Sequence, residues 1–540
     1  MVPRAAVAST ILVIAAVLAV LGVLAVVLAR AVAPWLEQRF VQWAFVFASL
    51  GVGLHPSRDA WLAALERRLG DAPRWAAPVA VAAAAAGFGG LKLAQHWSFH
   101  TTALDLSLYT SVVESLVSGR GFWTPWLGRS FLSEHASFVL LAWAGPYAVW
   151  RSPESLLVVH AAMTALAGWT LAGLGRAEGL TRVEAAVLCL AFWCNPVLWR
   201  GLLMDVHPEL LWPLCTTALA WAALRARWGA FVVAGVVALS LKEDAGLVVA
   251  PLCAWLLTRR PAARRPLVGM AVASVAWSAF ALLVVIPWAS PAGGSSRFLG
   301  ERYGHLGASV PDIVWNALTH PGWWGEWLLG RPVLELYAGA GVTALVQPLA
   351  ALAALAALPQ LVLNRATDYA VQRNLGLYYG VPAFAVLVAA APAAVAWARA
   401  RLGAWAGFAA ALSLAWPTAR QVTPPPVLWP SRDDAVARRV LRELDERPTC
   451  VQSVVAPHLP ASRWAAQGLL PACGVSERLV LAPGKPEEAH LIEAVRARAL
   501  EALEGGFSAR FVSRTLVVLE RGPPGPLDGA ARATLRGEAP

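Results

Sequence analysis

Several short stretches of this chain carry side chains suited to acid–base, metal or phosphate chemistry. Asp105 lies in Thr101-Thr102-Ala103-Leu104-Asp105-Leu106, just beyond an apolar run. A carboxylate there can take a proton from an acceptor hydroxyl or hold a divalent cation such as Mg or Mn; it can equally cap a helix start. Glu134 and His135 stand side by side before a short apolar run. They suit a metal or a phosphate-bearing substrate, or simply a helix N-terminus. Met204-Asp205-Val206-His207-Pro208-Glu209 packs Asp205, His207 and Glu209 at the end of an apolar segment, where charge is expensive without a role. Lys242-Glu243-Asp244 interrupts two apolar arms. Lys242 can hold a lipid phosphate as a point charge or neutralise its acidic neighbours. Arg297, Arg302, Arg365 and Arg373 are candidate phosphate contacts, or solvated loop charges, and Tyr303 and His305 accompany Arg302. Of these residues, Asp105, His135, Asp205 and His207 are the candidate metal ligands.

The elements that must position them are membrane helices. The 540 residues are 58% hydrophobic and 14% charged, with mean hydropathy +0.57. A soluble domain is about a quarter charged. Several apolar runs approach the roughly 20 residues that cross a bilayer. The 27 Trp suit membrane interfaces. The net charge of +11 comes largely from isolated Arg in short loops, which reads as a topology signal and not as a nucleic-acid surface. The pattern predicts about 11 to 13 crossings. Residues 1–74 form an anchor hairpin and a cytoplasmic Arg-rich segment; 75–416 form the membrane body, with outer loops 96–137 and 287–331. Positive-inside placement of Arg225, Arg227, Arg259 and Arg260 makes Lys242-Glu243-Asp244 a hairpin tip on the same face as Asp105 and Asp205.

At Pro424-Pro425-Pro426 the composition changes to a stiff linker, 417–430. Residues 431–540 read as a small soluble α/β domain: a helix over Asp433–Arg447, strands at Cys450–Ala456 and Phe511–Glu520, a helix over Glu487–Leu503, and a frayed end after Arg521. Cys450 and Cys473 can pair if this tail is outside the cytoplasm, or stay as buried thiols. No Gly-x-Ser-x-Gly or His-Glu-x-x-His motif supports a soluble hydrolase.

Taken in order, Leu104-Asp105-Leu106, Glu134-His135-Ala136-Ser137, Asn195-Pro196, Asp205-Val206-His207-Pro208-Glu209, Lys242-Glu243-Asp244, Tyr303-Gly304-His305-Leu306-Gly307, Pro359 through Asn364 and Val454 through Arg463 resemble an uncharacterised bacterial and archaeal family of multispanning membrane proteins related to the GT-C glycosyltransferases. The family pattern often has a second Asp five residues after the first; here Thr110 stands there, so Glu134 or Asp205 would supply the second acidic group. The resemblance implies a GT-C-like fold in a bacterial inner membrane. It also implies a polyprenyl-phosphate sugar donor, catalysis on the periplasmic face and a periplasmic C-terminal domain. Asp105, Glu134 and Asp205 would then be catalytic. His135, His207, Glu209, Lys242, Glu243, Asp244, Arg302, Tyr303, His305, Arg365 and Arg373 would hold substrate. A transporter or flippase of a charged lipid and a non-catalytic scaffold are the rival readings. The first predicts inverted repeats, which the sequence does not display.

Overall fold

The computed structural model describes residues 57–290, 297–340, 348–414, 429–459, 467–470, 473, 477–485 and 489–538. The expected anchor hairpin before residue 57 and the Pro-rich linker at 424–426 lie outside the described residues. The chain divides into two compact units whose boundaries fall within helices and loops of the membrane body.

The first unit takes in residues 1–88, 132–139 and 160–426, and its described part is helical. Among the described residues of the whole chain, Ala76–Trp97, Pro153–Ala177, Pro261–Ala289 and Val381–Leu402 are long and apolar enough to cross a membrane. Arg182–Trp193 and Pro196–Leu203 make a fifth candidate, bent by 44°. Five shorter apolar helices include Trp228–Leu239 and Gly246–Arg259. The two N-terminal crossings in the expected total fall on residues that are not described. Val381–Leu402 is buried along nearly its whole length. That burial explains why it is apolar on every side instead of amphipathic.

The bend in the fifth span has an identifiable cause. Asn195 caps the second half by accepting from the Val197 N–H, and Pro196 at the first helical position needs no N–H partner. The Asn195 amide donates to the carbonyls of Gly339 at 2.7 Å and Leu414 at 2.5 Å. Backbone groups freed inside an apolar body are thus satisfied by protein. At the far end of the first half, Thr181 and Glu184 form a capping box, and Glu184 also binds Arg399 at 2.7 Å.

The second unit joins residues 89–131 and 140–159 to 427–540. Its membrane-side portion contains a π-turn, Ala103–Ser107, the helix Leu108–Val117, and a small hairpin, β1 (Trp123–Thr124) and β2 (Arg129–Ser130). The C-terminal portion is the expected α/β domain. Its sheet contains β3 (Thr449–Val451), β4 (Gln467–Leu469), β5 (Arg478–Leu481), β6 (Phe507–Val512) and β7 (Val517–Arg521), in the order β4-β3-β5-β7-β6. β3 is parallel to β4 and β5, and β7 is antiparallel to β5 and β6. Cys450 and Cys473 form a disulfide.

Three local expectations need correction. The Val-rich run Phe511–Glu520 is not one strand; it spans a β6–β7 hairpin, closed where the Ser513 N–H donates to the Leu516 carbonyl at 2.8 Å. The strand at Cys450 stops at Val451, and Ala456–His458 is a single 3-10 turn. The end of the chain is not frayed: Asp528–Arg536 is a helix. Ala531 and Leu535 are buried against β6 and β7 residues, and the Asp528 carboxylate accepts from the Ala509 N–H at 2.6 Å and the Gly525 N–H at 2.8 Å. A composition rich in Pro, Gly and Ala hid two well-placed anchors.

Candidate functional site

The first unit contains a partly open cavity of about 260 Å³. Its lining includes the ionisable and polar groups Glu134, His135, Glu209, Lys242, Glu243 and Asp244, with Arg302 and Tyr303. It also includes the aliphatic side chains of Leu247, Leu282, Ile286, Val310, Ile313 and Val314. The charged tripeptide sits in the turn between Trp228–Leu239 and Gly246–Arg259, and Glu209 in the 3-10 turn Pro208–Leu211. These groups therefore lie in connections, not in the spans themselves.

Folding pairs these residues across long stretches of sequence. Lys242 Nζ lies 2.9 Å from Glu209 Oε1. Glu243 Oε1 lies 3.0 Å from His135 Nδ1, and its Oε2 accepts from the Ala136 N–H at 3.1 Å. Gln360 Nε2 donates to Asp244 Oδ2 at 3.0 Å. Asp244 Oδ1 and Gln360 Oε1 are buried without a hydrogen-bond partner. Such atoms are costly unless something else satisfies them.

The environment splits the carboxyls. Burial would raise Glu209, but Lys242 and His207 outweigh it and hold it down to about 2. Burial likewise opposes ionisation of Glu243, and the adjacent His135, with Lys242, overcomes it and lowers this carboxyl. Asp244 goes the other way: burial pushes it up, Lys242 opposes, and Glu243 reinforces the rise. Lys242 is driven well above its usual value, because Glu209, Asp244 and Glu243 overcome the burial that would lower it. Lys242 with His207 thus keeps Glu209 charged and His135 with Lys242 keeps Glu243 charged, while Asp244 is biased toward its protonated form.

Arg302 is oriented by Gln372, whose Oε1 accepts from Nη1 at 2.8 Å, and by the rings of Tyr369 and Tyr379 at 4.9 and 5.7 Å. Gln372 also donates to the Tyr303 hydroxyl at 2.9 Å and to Asn364 Oδ1 at 3.0 Å. Gln360, Asn364, Gln372 and Tyr379 line the cavity but were not singled out from sequence as individual site residues. Gln360 and Asn364 did leave a signal: two polar groups four apart on an apolar helix share one face. Gln372 left none, because its neighbourhood reads as ordinary loop.

Other sequence candidates fall elsewhere. Asp205 and His207 are buried in the same unit but do not line the cavity. The His207 ring stacks on Tyr378 at 3.5 Å, and its carbonyl lies 3.2 Å from His160 Nε2. His305 pairs with Asp368 at 2.8 Å in a solvated position. Arg365 is buried and braces its surroundings. Its donors go to the carbonyls of Trp327 at 2.9 Å, Glu326 at 3.2 Å and Arg373 at 2.5 Å. Arg373 is absent from the cavity wall. Asp105 belongs to the second unit. Among the described residues no three His, Cys, Asp or Glu side chains gather to hold a metal ion. Of the residues named for Mg or Mn, His135, Asp205 and His207 belong to the first unit and Asp105 to the second.

The apolar helices and the charged cavity define a polytopic α-helical membrane protein with a small C-terminal α/β domain and a buried ionisable site. The chain belongs to the family described as predicted membrane protein DUF2079, whose model matches residues 95–424. Among solved structures it is similar to ArnT from Cupriavidus metallidurans bound to undecaprenyl phosphate. The identity is 12% and the TM-score 0.47, with 84% of this chain and 100% of that one covered. Apo ArnT from the same organism gives 13% identity and TM-score 0.46, covering 82% of this chain and 100% of that one. No curated protein matches the chain.

Proposed function

We propose that the protein is a membrane-embedded glycosyltransferase that moves a sugar from a polyprenyl-phosphate-linked donor to an acceptor on the periplasmic face of a bacterial inner membrane. The observation that carries this reading is the mixed lining of the cavity. A head group with phosphate and hydroxyls matches Lys242, Arg302, Glu243 and Asp244; a hydrocarbon chain matches Leu247, Leu282, Ile286 and Val314. The disulfide between Cys450 and Cys473 supports a periplasmic tail, because such bonds persist in oxidising compartments.

In this reading a carboxylate takes the proton of the acceptor hydroxyl as its oxygen bonds to the anomeric carbon. The bond from that carbon to the donor phosphate oxygen breaks, and the polyprenyl phosphate leaves with the electron pair. Lys242 and Arg302 neutralise the charge that develops on the leaving phosphate. Glu243 is the best-placed cavity base, held ionised by His135. Asp105, Glu134 and Asp205 are the alternative bases that the sequence resemblance names.

The test uses purified protein in lipid with radiolabelled polyprenyl-phosphate sugars and a panel of acceptors. The expected result is sugar transfer that is lost in Glu243→Gln or in Asp105→Asn, whichever side chain is the base. Transfer abolished by EDTA and restored by Mg would show that a divalent metal takes part. Facilitated movement of the intact donor between leaflets, with no transfer to any acceptor, would replace this reading with the flippase one.

A further inference from the structure

The segment that carries Asp105 is built into the core of the C-terminal domain. Phe99 is fully buried and held at a φ of +62°, a left-handed conformation that costs a bulky residue energy and persists only where its surroundings fix it. Those surroundings are C-terminal: Phe99 and Ala103 pack with Ala437, Leu441, Val451, Val455 and Leu516. The His458 ring lies 4.0 Å from the Phe99 ring and stacks on His96 at 4.3 Å. The Ala103 N–H, which opens the π-turn containing Asp105, donates to Ser453 Oγ at 3.2 Å. Val454 through Leu459, singled out in the sequence but given no role by the transfer reading, is the stretch that receives this plug.

We infer that the C-terminal domain is the positioning element for Asp105, with Phe99 as the plug and Ser453 and His458 as the residues that seat it. The fold thereby sets the register of the π-turn from a part of the chain some 350 residues away. Any reaction assigned to Asp105 rests on the proposed function; the seating of its segment does not.

The seat is sensitive to protonation. Burial, then the neighbouring charges of His96, Arg438, Lys485 and Arg442, push His458 well below its usual value. Its Nε2 is buried without a hydrogen-bond partner. Glu154, at the start of Pro153–Ala177, faces His96, and Asp434 and Lys485 face His100. A histidine kept neutral in the seated state and free to ionise in the unseated one favours seating above about pH 6.5, and loses that preference as pH falls below it.

Hydrogen exchange read by mass spectrometry on the full-length protein in lipid tests this without any turnover. Ser453→Ala removes one hydrogen bond, so amides of 98–107 should exchange about fivefold faster. The helix Val381–Leu402 and the β5–β7 strands should keep their wild-type protection, which excludes general unfolding. In wild type, protection of 98–107 should fall between pH 7 and pH 5, beyond the intrinsic rate change, and in His458→Phe that pH dependence should vanish. Where transfer is measurable, Ser453→Ala should lower kcat and leave KM unchanged. Unchanged exchange of 98–107 in both Ser453→Ala and Phe99→Ala, with the sheet intact, overturns the inference. Persistence of the pH dependence in His458→Phe would remove His458 from the seat and shift the titration to His96 or His100. Loss of turnover in Asp105→Asn with normal exchange, or the reverse, separates the positioning claim from the catalytic one.

Discussion

Replacing Lys242 by Met tests the electrostatic logic of the cavity most directly. Lys242 and Glu209 lie 2.9 Å apart with side chains 15% and 7% exposed. At an effective dielectric of about 20 their attraction is roughly 6 kcal/mol, most of which offsets the cost of burying both charges. Removing only the cation leaves that cost uncompensated at Glu209, and breaking a buried pair this way costs about 3–5 kcal/mol. The low end is expected, about 3 kcal/mol, because Lys242 keeps some solvent access. That corresponds to roughly two decades in the unfolding constant. Denaturant titration in detergent, followed by Trp fluorescence, reads it. Lys242→Met/Glu209→Gln should return to within about 1 kcal/mol of wild type, since neither charge is then stranded. The sign of the pH dependence follows. In the single variant Glu209 has lost the cation that held it down, and burial alone raises it above its unfolded value. The deficit is therefore full at pH 8 and shrinks as pH falls and the carboxyl protonates. A single variant as stable as wild type, or a double variant no better than the single one, would falsify the pairing.

Arg365→Ala should destabilise the protein by about 3 kcal/mol in the same titration, because three carbonyls, one buried and two part-buried, lose a charged donor; donor affinity in the surviving folded fraction should stay unchanged. Cys450→Ser opens a bond joining residues 23 apart and should cost the C-terminal domain about 3 kcal/mol. In intact cells a membrane-impermeant maleimide should label the freed Cys473 only if the tail is periplasmic, and labelling restricted to inverted vesicles would refute that orientation. Gln372→Leu should weaken donor binding about tenfold by releasing Arg302 and Tyr303, with no loss of expression.

The sequence by itself determined that this is a membrane protein, since hydropathy is a local property that bilayer thickness converts into helices. It also marked nearly every charged residue of the cavity, because ionisable groups between apolar runs are conspicuous wherever they end up. It predicted the α/β tail from its alternation of Val-rich and helical segments. Tertiary structure decided who meets whom. His135 and Glu243 are separated by 108 positions, and no local pattern announces that they touch. Arg365 looked the same as Arg302 in sequence, yet one braces a loop and the other lines the cavity, because only packing sets what lies within reach of a guanidinium. Gln372 carries no charge to draw attention and acquires its place from three partners. Asp105 was grouped with Glu134 by proximity along the chain. Contacts put the two in different compact units and fixed the Asp105 turn to a domain hundreds of residues later. Spacing along the chain reports only the helix and strand periods; the ion pairs and the seat of Phe99 depend on distances that the folded backbone alone defines.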